Sequence, residues 1–249
     1  MTKRKKIVLT VILSLVLLLL AAAVVFFQFT DQGYQMSIPY RPNFEEIAPH
    51  FYVNKGNALS REGILSTFEQ AKTRDTAFFG TMHCLDDITI IVCDDPKISG
   101  IIGEKGTLTH LFPQKKDYIC ISNENYNVDI LAHELTHTEL HSHFDTGKAQ
   151  KSMPSWFDEG IATQNDYREQ YSAENWAEQT ENGKHATALA DMDTPAEFYA
   201  GEAEERRFRY MCAKHEVAMW LEKHSVEELL AVADGLNSGK AFDELYFAE

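Results

Sequence analysis

The segment Asn127–His141 (NVDILAHELTHTELH) is the part of the sequence that best predicts the fold and the function of this chain. Its apolar residues Leu131 and Leu135 are four apart, which is the spacing of one helix face. Asn127 belongs to the residue types that cap helix N-termini. We therefore predict a helix that begins at Val128 and runs to about His141.

The same helix contains the pattern HELTH at residues 133–137. His133 and His137 lie one turn apart on one face, so both can direct a ring nitrogen at one zinc ion, about 2.0–2.1 Å away. Glu134 lies about 100° further round the helix, where it can take a proton from a water in the open fourth position. The pattern predicts one zinc ion per chain, with Glu134 as general base.

Zinc needs a third protein ligand, and the sequence offers several candidates. Glu159 stands some twenty residues further on, on a second predicted helix, and would complete a His2Glu site. His143 has the spacing of the HExxHxxGxxH pattern, but Leu140 replaces the helix-breaking Gly of that pattern, so an unbroken helix would point His143 away. Helix geometry favours Glu159. Two further candidates are Asp145 and Asp158.

The remaining sequence predicts a helix and a small sheet followed mainly by helices, which is an α+β pattern. The predicted strands are Asp87–Cys93, Thr107–Phe112 and Tyr118–Ser122. The other predicted helices are Ser60–Phe79, Ser155–Asp166, Glu204–Lys223, one from Ser225 that Gly235 ends, and a last one near Ser238. A capping box at Thr194–Glu197 predicts one more helix start.

The N-terminus is predicted to be a membrane anchor. A basic cluster, Lys3–Lys6, precedes an uncharged run, Ile7–Phe29, which is long enough to cross a bilayer. Ala21–Ala23 is the one candidate for a cleavage site. The positive-inside rule places the N-terminus in the cytoplasm and the rest outside it. We predict a tail and transmembrane anchor at 1–30, a linker at 31–45 and a zinc domain at 46–249.

Composition limits the classes of function. The formal net charge is -15, and 44% of the 249 residues are apolar. Such an acidic chain is a poor match for nucleic acid, whose phosphates require clustered Lys and Arg. None of the four cysteines forms a CxxC pair, which argues against a Cys-based zinc site. Cys93 and Cys120 lie in two predicted strands and could form a disulfide or remain buried thiols.

HELTH followed by PSWFDEGIA (Pro154–Ala162) resembles the gluzincin clan of zinc peptidases, and above all its bacterial peptidase MA-like families, which share HExxH and W-x-x-E-G-x-A. The likeness covers roughly Asp87 to the C-terminus. It implies a thermolysin-like zincin core, hydrolysis of peptide bonds and Glu159 as the third ligand. It also implies that Tyr210 donates a hydrogen bond to the tetrahedral oxyanion.

The chain departs from thermolysin-like enzymes at one position. The acidic residue that orients a histidine there, four positions after the ligand Glu, is replaced by Thr163. A different acceptor must then fix the histidine tautomer, and Asp129, one turn before His133, is a candidate.

Together these observations predict a membrane-anchored zinc metallopeptidase with an α+β, thermolysin-like core. Its substrate would be a peptide or protein bound along an edge strand, either Thr107–Phe112 or Tyr118–Ser122. The alternatives are an inactive zinc-binding membrane module that recruits partners and a zinc amidase acting on a cell-wall bond.

Overall fold

The structure is a computed structural model that describes residues 2–94, 107–111 and 116–247. Helix α1, Lys3–Phe29, has 27 residues and no buried side chain. At about 1.5 Å per residue it is roughly 40 Å long. By length and composition it can cross a membrane, as the uncharged run of the sequence predicts.

The first part of the predicted linker is a second helix, α2, which spans Asp31–Ser37. Thr30 caps it by accepting a hydrogen bond from Gly33 N at 3.1 Å. Tyr34 and the following Ile38 are buried in a small apolar cluster with Tyr118 of the sheet. This segment therefore packs onto the globular part of the chain, which the polar composition of residues 31–45 does not reveal.

Five strands form one mixed sheet in the order β1-β2-β3-β5-β4. The outer pairs β1/β2 and β4/β5 are antiparallel, whereas β2, β3 and β5 run parallel. The strands are β1 Phe44–Ala48, β2 Phe51–Asn54, β3 Ile88–Cys93, β4 Thr107–Leu111 and β5 Lys116–Ser122.

Of the two strands predicted as candidates for the substrate-binding edge, only β4 is an edge of the sheet that the described residues form. β5 lies between β3 and β4, because it pairs with both. The predicted end of the β4 strand, Phe112, lies outside the described residues. The edge strand β4 also lies against the helix that carries the HELTH pattern.

Helix α3 connects β2 to β3, and the helices that follow β5 form the second half of the fold. The bounds are α3 Arg61–Phe79, α4 Val128–Ser142, α5 Gly147–Gln150, α6 Ser155–Gln164, α7 Ala173–Gln179, α8 Pro195–Phe198, α9 Ala203–Leu221, α10 Val226–Asn237 and α11 Phe242–Tyr246. The chain is therefore α+β, as predicted.

Two helix boundaries at the C-terminal end differ from the predicted ones. Gly235 does not end α10 but lies inside it, where it is buried and a Cβ would come within 2.4 Å of the Leu245 side chain. The helix ends at the cap residue Ser238, and the positive φ of 82° falls on Gly239. The last helix begins at Phe242 instead of near Ser238, because the turn at Gly239 separates the two helices.

Helix α4 lies between two apolar cores. Leu131 and Leu135 belong to the core beneath the sheet, while Leu140 belongs to a second core among the C-terminal helices. As a result every residue from Leu131 to His141 is buried. The polar side chains of α4 must find their partners inside the protein, since a buried polar group without a hydrogen bond is costly.

Candidate metal centre

Helices α4 and α6 bring the predicted zinc ligands together. Nε2 of His133 lies 3.2 Å from Oε2 of Glu159, and Nε2 of His137 lies 3.3 Å from the same oxygen. His137 and Glu159 are 5% exposed and His133 is 9% exposed. The three ligand atoms all lie within 4.8 Å of one another. Residues more than twenty positions apart thus converge on one point.

These separations fit a tetrahedral zinc ion. Two ligand atoms about 2.0–2.1 Å from the ion at a tetrahedral angle are roughly 3.3 Å apart. The two contacts of Glu159 Oε2 with the histidines have that length. Two imidazoles and one carboxylate are also a donor set that zinc uses in catalytic sites, where the fourth position stays open.

A close helix–helix contact fixes the position of Glu159. A Cβ on the next residue, Gly160, would lie 2.6 Å from the carbonyl oxygen of Ala213 and from Cγ2 of Val217, both on α9. Glycine therefore lets α6 approach α9 more closely than any other residue would. Trp156 and Phe157, on the same helix, are buried in the helical core. Pro154 is the N-cap residue of α6 and not its first helical residue.

His137 is oriented by the neighbour of the third ligand. Its Nδ1 lies 2.9 Å from Oδ1 of Asp158, which also contacts Nε2 of His141 at 3.0 Å. A carboxylate at the second ring nitrogen fixes the tautomer and directs the other nitrogen at the metal position. The expectation that Asp129, one turn before His133, accepts from a ligand histidine is wrong, because Asp129 accepts a hydrogen bond from the Arg74 guanidinium at 2.7 Å.

The two histidines differ in this respect. Nδ1 of His133 is buried and has no hydrogen-bond partner among the described residues. Its ring is instead held by packing against His137, with centroids 4.8 Å apart, and against Tyr210, with centroids 5.9 Å apart. Thr163 does not act on a histidine, since its Oγ1 donates to the backbone oxygen of Glu159 at 2.5 Å.

The charges of the centre depend on one another. Burial raises the pKa of Glu134, and the two nearby histidines oppose that rise only in part. Burial acts the same way on Asp158 and Glu159, but there the histidines prevail and lower both pKa values. The pKa of His137 is raised by these two carboxylates, although burial alone would lower it. Both carboxylates therefore stay ionised, as the proposed ligand Glu159 must in order to bind a metal.

Two tyrosines lie close to Glu159. The Tyr199 hydroxyl donates a hydrogen bond to Oε1 of Glu159, and the Tyr210 ring packs against the His133 ring. Burial, and next to it the Glu159 charge, raises the pKa of both phenols, so both remain protonated donors. The resemblance implied Tyr210 as the oxyanion donor, whereas Tyr199 is the phenol that hydrogen-bonds Glu159.

The other third-ligand candidates lie elsewhere. His143 is the C-cap residue of α4 and contacts Glu139 instead of the centre. Asp145 uses its backbone amide to bind Asn237 at 2.9 Å. Asp158 contacts the far nitrogen of His137, on the side away from Glu159.

A buried hydrogen-bond network, which no sequence pattern indicated, holds Thr136 in the middle of the HELTH pattern. Oδ1 of Asp75, on α3, accepts hydrogen bonds from Thr136 Oγ1 at 2.5 Å and from Asn165 Nδ2 at 2.9 Å. The Asn165 amide also donates to Thr136 at 2.9 Å. Asp75 and Thr136 are fully buried. The network joins α3, α4 and the end of α6.

No protein-family model matches the sequence, and a comparison with curated proteins finds no match.

Proposed function

We propose that the protein is a membrane-anchored zinc metallopeptidase of the gluzincin type. One observation carries the proposal: two histidines one helical turn apart and a glutamate from a second helix place three ligand atoms at zinc spacing, beside a buried glutamate. His133, His137 and Glu159 would hold the ion. Glu134 follows the first of them in the chain and is 8% exposed.

A zinc ion bound there supplies a Lewis acid and lowers the pKa of a coordinated water to about 7. The side chains of the protein transfer the proton, orient the ligand and stabilise the developing charge. Glu134 accepts the proton of the attacking water and later delivers it to the leaving amine. Oδ1 of Asp158 lies 2.9 Å from Nδ1 of His137. This contact keeps the ring in the tautomer that presents Nε2 to the metal. The phenol of Tyr210 donates to the negative charge that develops on the substrate carbonyl oxygen.

The position of the sheet supports a peptide as substrate. The edge strand β4 lies against α4, which carries the metal ligands. The unpaired side of an edge strand can bind an extended peptide through main-chain hydrogen bonds. A thermolysin-like arrangement combines the same elements, namely a small sheet, an active-site helix and a helical C-terminal part. We therefore infer that an unfolded or extended chain, and not a compact small molecule, is the substrate.

The membrane segment supports the location. Helix α1 carries Lys3–Lys6 at its start and no acidic residue in its first turn. The positive-inside rule then places the N-terminus in the cytoplasm and the zinc domain outside it.

The test uses the full-length chain in detergent, with zinc supplied. Bound zinc is counted by mass spectrometry, and hydrolysis is measured with unfolded casein and with purified peptidoglycan. We expect Glu134→Gln to keep its zinc and lose at least 100-fold in casein hydrolysis, because removing a general base costs about 10²–10⁴ in rate. The exposed Glu124→Gln is the matched control and should match wild type.

The outcomes separate the hypotheses. Unchanged hydrolysis by Glu134→Gln would remove the assigned base. Wild-type protein that binds zinc but cleaves neither substrate would contradict an enzyme and favour the recruiting module. Cleavage of peptidoglycan alone would replace the peptidase with the amidase. Tyr210→Phe should lower the turnover of casein without changing the zinc content, since the phenol acts on charge that develops during the reaction.

A further inference from the structure

A second set of metal-ligating groups lies at the C-terminal end of α4, outside the centre described above. Nδ1 of His83 lies 3.1 Å from Oε1 of Glu139, and Nε2 of His143 lies 3.5 Å from the same oxygen. The three ligand atoms lie within 4.8 Å of one another. We propose that these residues form a second metal site, which takes a divalent transition-metal cation such as Zn²⁺.

The geometry repeats that of the first centre. There too one carboxylate oxygen is shared by two imidazole nitrogens, at 3.2 and 3.3 Å. Ligand atoms around a tetrahedral zinc ion are roughly 3.3 Å apart, and the separations here, 3.1 and 3.5 Å, lie on either side of that value. Two neutral imidazoles and one carboxylate suit zinc and its neighbours among the transition metals.

The Glu139 carboxylate is fixed in place. Its Oε2 accepts hydrogen bonds from the backbone amides of His83 at 2.7 Å and of Cys84 at 3.1 Å. The side chain is fully buried. Oε1 is therefore held facing the two histidines, so the ligand is preorganised and needs no rearrangement to bind an ion.

Hydrogen bonds among the described residues do not explain why Nε2 of His143 is buried in this cluster. Its Nε2 is buried and has no hydrogen-bond partner among the described residues, although Oε1 of Glu139 lies 3.5 Å away. A buried polar atom of this kind requires an explanation, and an ion is one of those known. A cation held between Nε2 and Oε1 satisfies both atoms.

Other histidine–glutamate pairs of the chain are different. His185 lies 3.4 Å from Glu181, and His224 lies 3.7 Å from Glu228. Both glutamates are 60% exposed, and neither pair belongs to a three-ligand group within the described residues. They are surface pairs four residues apart in the sequence, which makes them controls for the proposed site.

The second site is separate from the first. Glu139 follows His137 by two residues, which places it about 200° round the helix, so the two sites lie on opposite faces of α4. His83 precedes β3 and is 68% exposed, which leaves a path for the ion and for water as a further ligand. A bound ion would join the chain segment before β3 to the end of the helix that carries His133 and His137.

The test counts metal in full-length protein, with Zn²⁺ alone as the probe, by equilibrium dialysis and mass spectrometry. We expect two zinc ions in wild type, one in His83→Ala/His143→Ala, and two in the control His185→Ala. Glu139 is left intact because its contacts with the backbone amides are structural. The same Zn²⁺ titration is followed by thermal unfolding, since an ion that binds only the folded chain raises Tm.

A second background keeps the two proposals apart. His133→Ala/His137→Ala removes the first centre, and there we expect one zinc ion and a Zn²⁺-dependent rise in Tm, both lost when His143→Ala is added. No zinc in that background overturns the second site and leaves the peptidase untouched. An unchanged count in His83→Ala/His143→Ala also overturns it. A single zinc in wild type that is lost with His143→Ala would support the second site while removing the first.

Discussion

The buried carboxyl of Asp75 makes a specific prediction about stability and pH. The side chain is fully buried on α3, and among the described residues only its Oδ1 finds hydrogen-bond partners, Thr136 and Asn165. Burial raises its pKa from 3.8 to about 8, because the loss of hydration outweighs these two hydrogen bonds. At neutral pH the group is therefore a neutral acid in the folded chain.

The perturbation is Asp75→Asn, which keeps an acceptor oxygen for both donors and stays neutral at every pH. In wild type the folded state holds the proton more tightly than the unfolded state. The contribution of that proton to stability is fully present below pH 3.8 and is lost as the pH rises toward 8, since the unfolded chain then binds fewer protons. At about 1.36 kcal/mol per pKa unit, this interval corresponds to on the order of 5 kcal/mol.

The assay compares thermal unfolding of wild type and Asp75→Asn in detergent from pH 5 to pH 8.5. For a domain of this size 1 kcal/mol corresponds to about 2–4 °C in Tm. The variant should melt a few degrees above wild type at pH 5 and about 10 °C or more above it at pH 8.5. Groups that titrate equally in both proteins cancel in the difference. Parallel Tm curves over this range would refute the reasoning, since they would mean that the folded chain does not hold the Asp75 proton.

Two further predictions concern the metal centre. Asp158→Asn should weaken zinc binding about 10- to 100-fold, because an amide holds His137 Nδ1 less strongly than a carboxylate does. Competition with a zinc chelator measures the affinity. A variant that binds zinc as tightly as wild type would contradict the role assigned to Asp158. Gly160→Ala should destabilise the fold by about 1–3 kcal/mol and weaken zinc binding, because the new Cβ would lie 2.6 Å from the Ala213 carbonyl oxygen. Gly63→Ala, on the exposed first turn of α3, is the control for helix propensity, and equal effects of the two changes on Tm would count against the close contact.

The sequence predicts helix α4 well for physical reasons. The Asn127 cap and the apolar spacing of Leu131 and Leu135 are local signals, and the helix forms at Val128–Ser142 with Asn127 accepting from Ile130 N at 3.0 Å. Local helix geometry also orders the two histidines and Glu134. The meeting of α4 with Glu159 was anticipated from spacing and resemblance, and the structure brings the ligand atoms together.

The remaining features depend on contacts that are distant in the sequence. β1 and β2 were not predicted, because five- and four-residue strands with mixed polarity acquire their conformation from pairing with each other and with β3. Asp129, one turn before His133, was the acceptor expected for a ligand histidine, and helical spacing could not show that Asp158 of another helix contacts His137. His83 lies fifty-six residues from Glu139, so no local pattern joins them. The four cysteines are buried thiols without a disulfide in the described structure.

The composition of α4 suggests why the helix is built as it is. The helix lies between two apolar cores, where apolar side chains would carry the smallest desolvation penalty. Seven polar side chains are nevertheless buried from Leu131 to His141. Burying ionisable groups carries a desolvation penalty that their pairing repays only in part. Buried ionisable groups lie on two faces of α4. On each face two histidine nitrogens contact a single carboxylate oxygen. Ion binding to the folded chain offsets such a penalty, so we expect the helix to reach its full stability only when metal is bound.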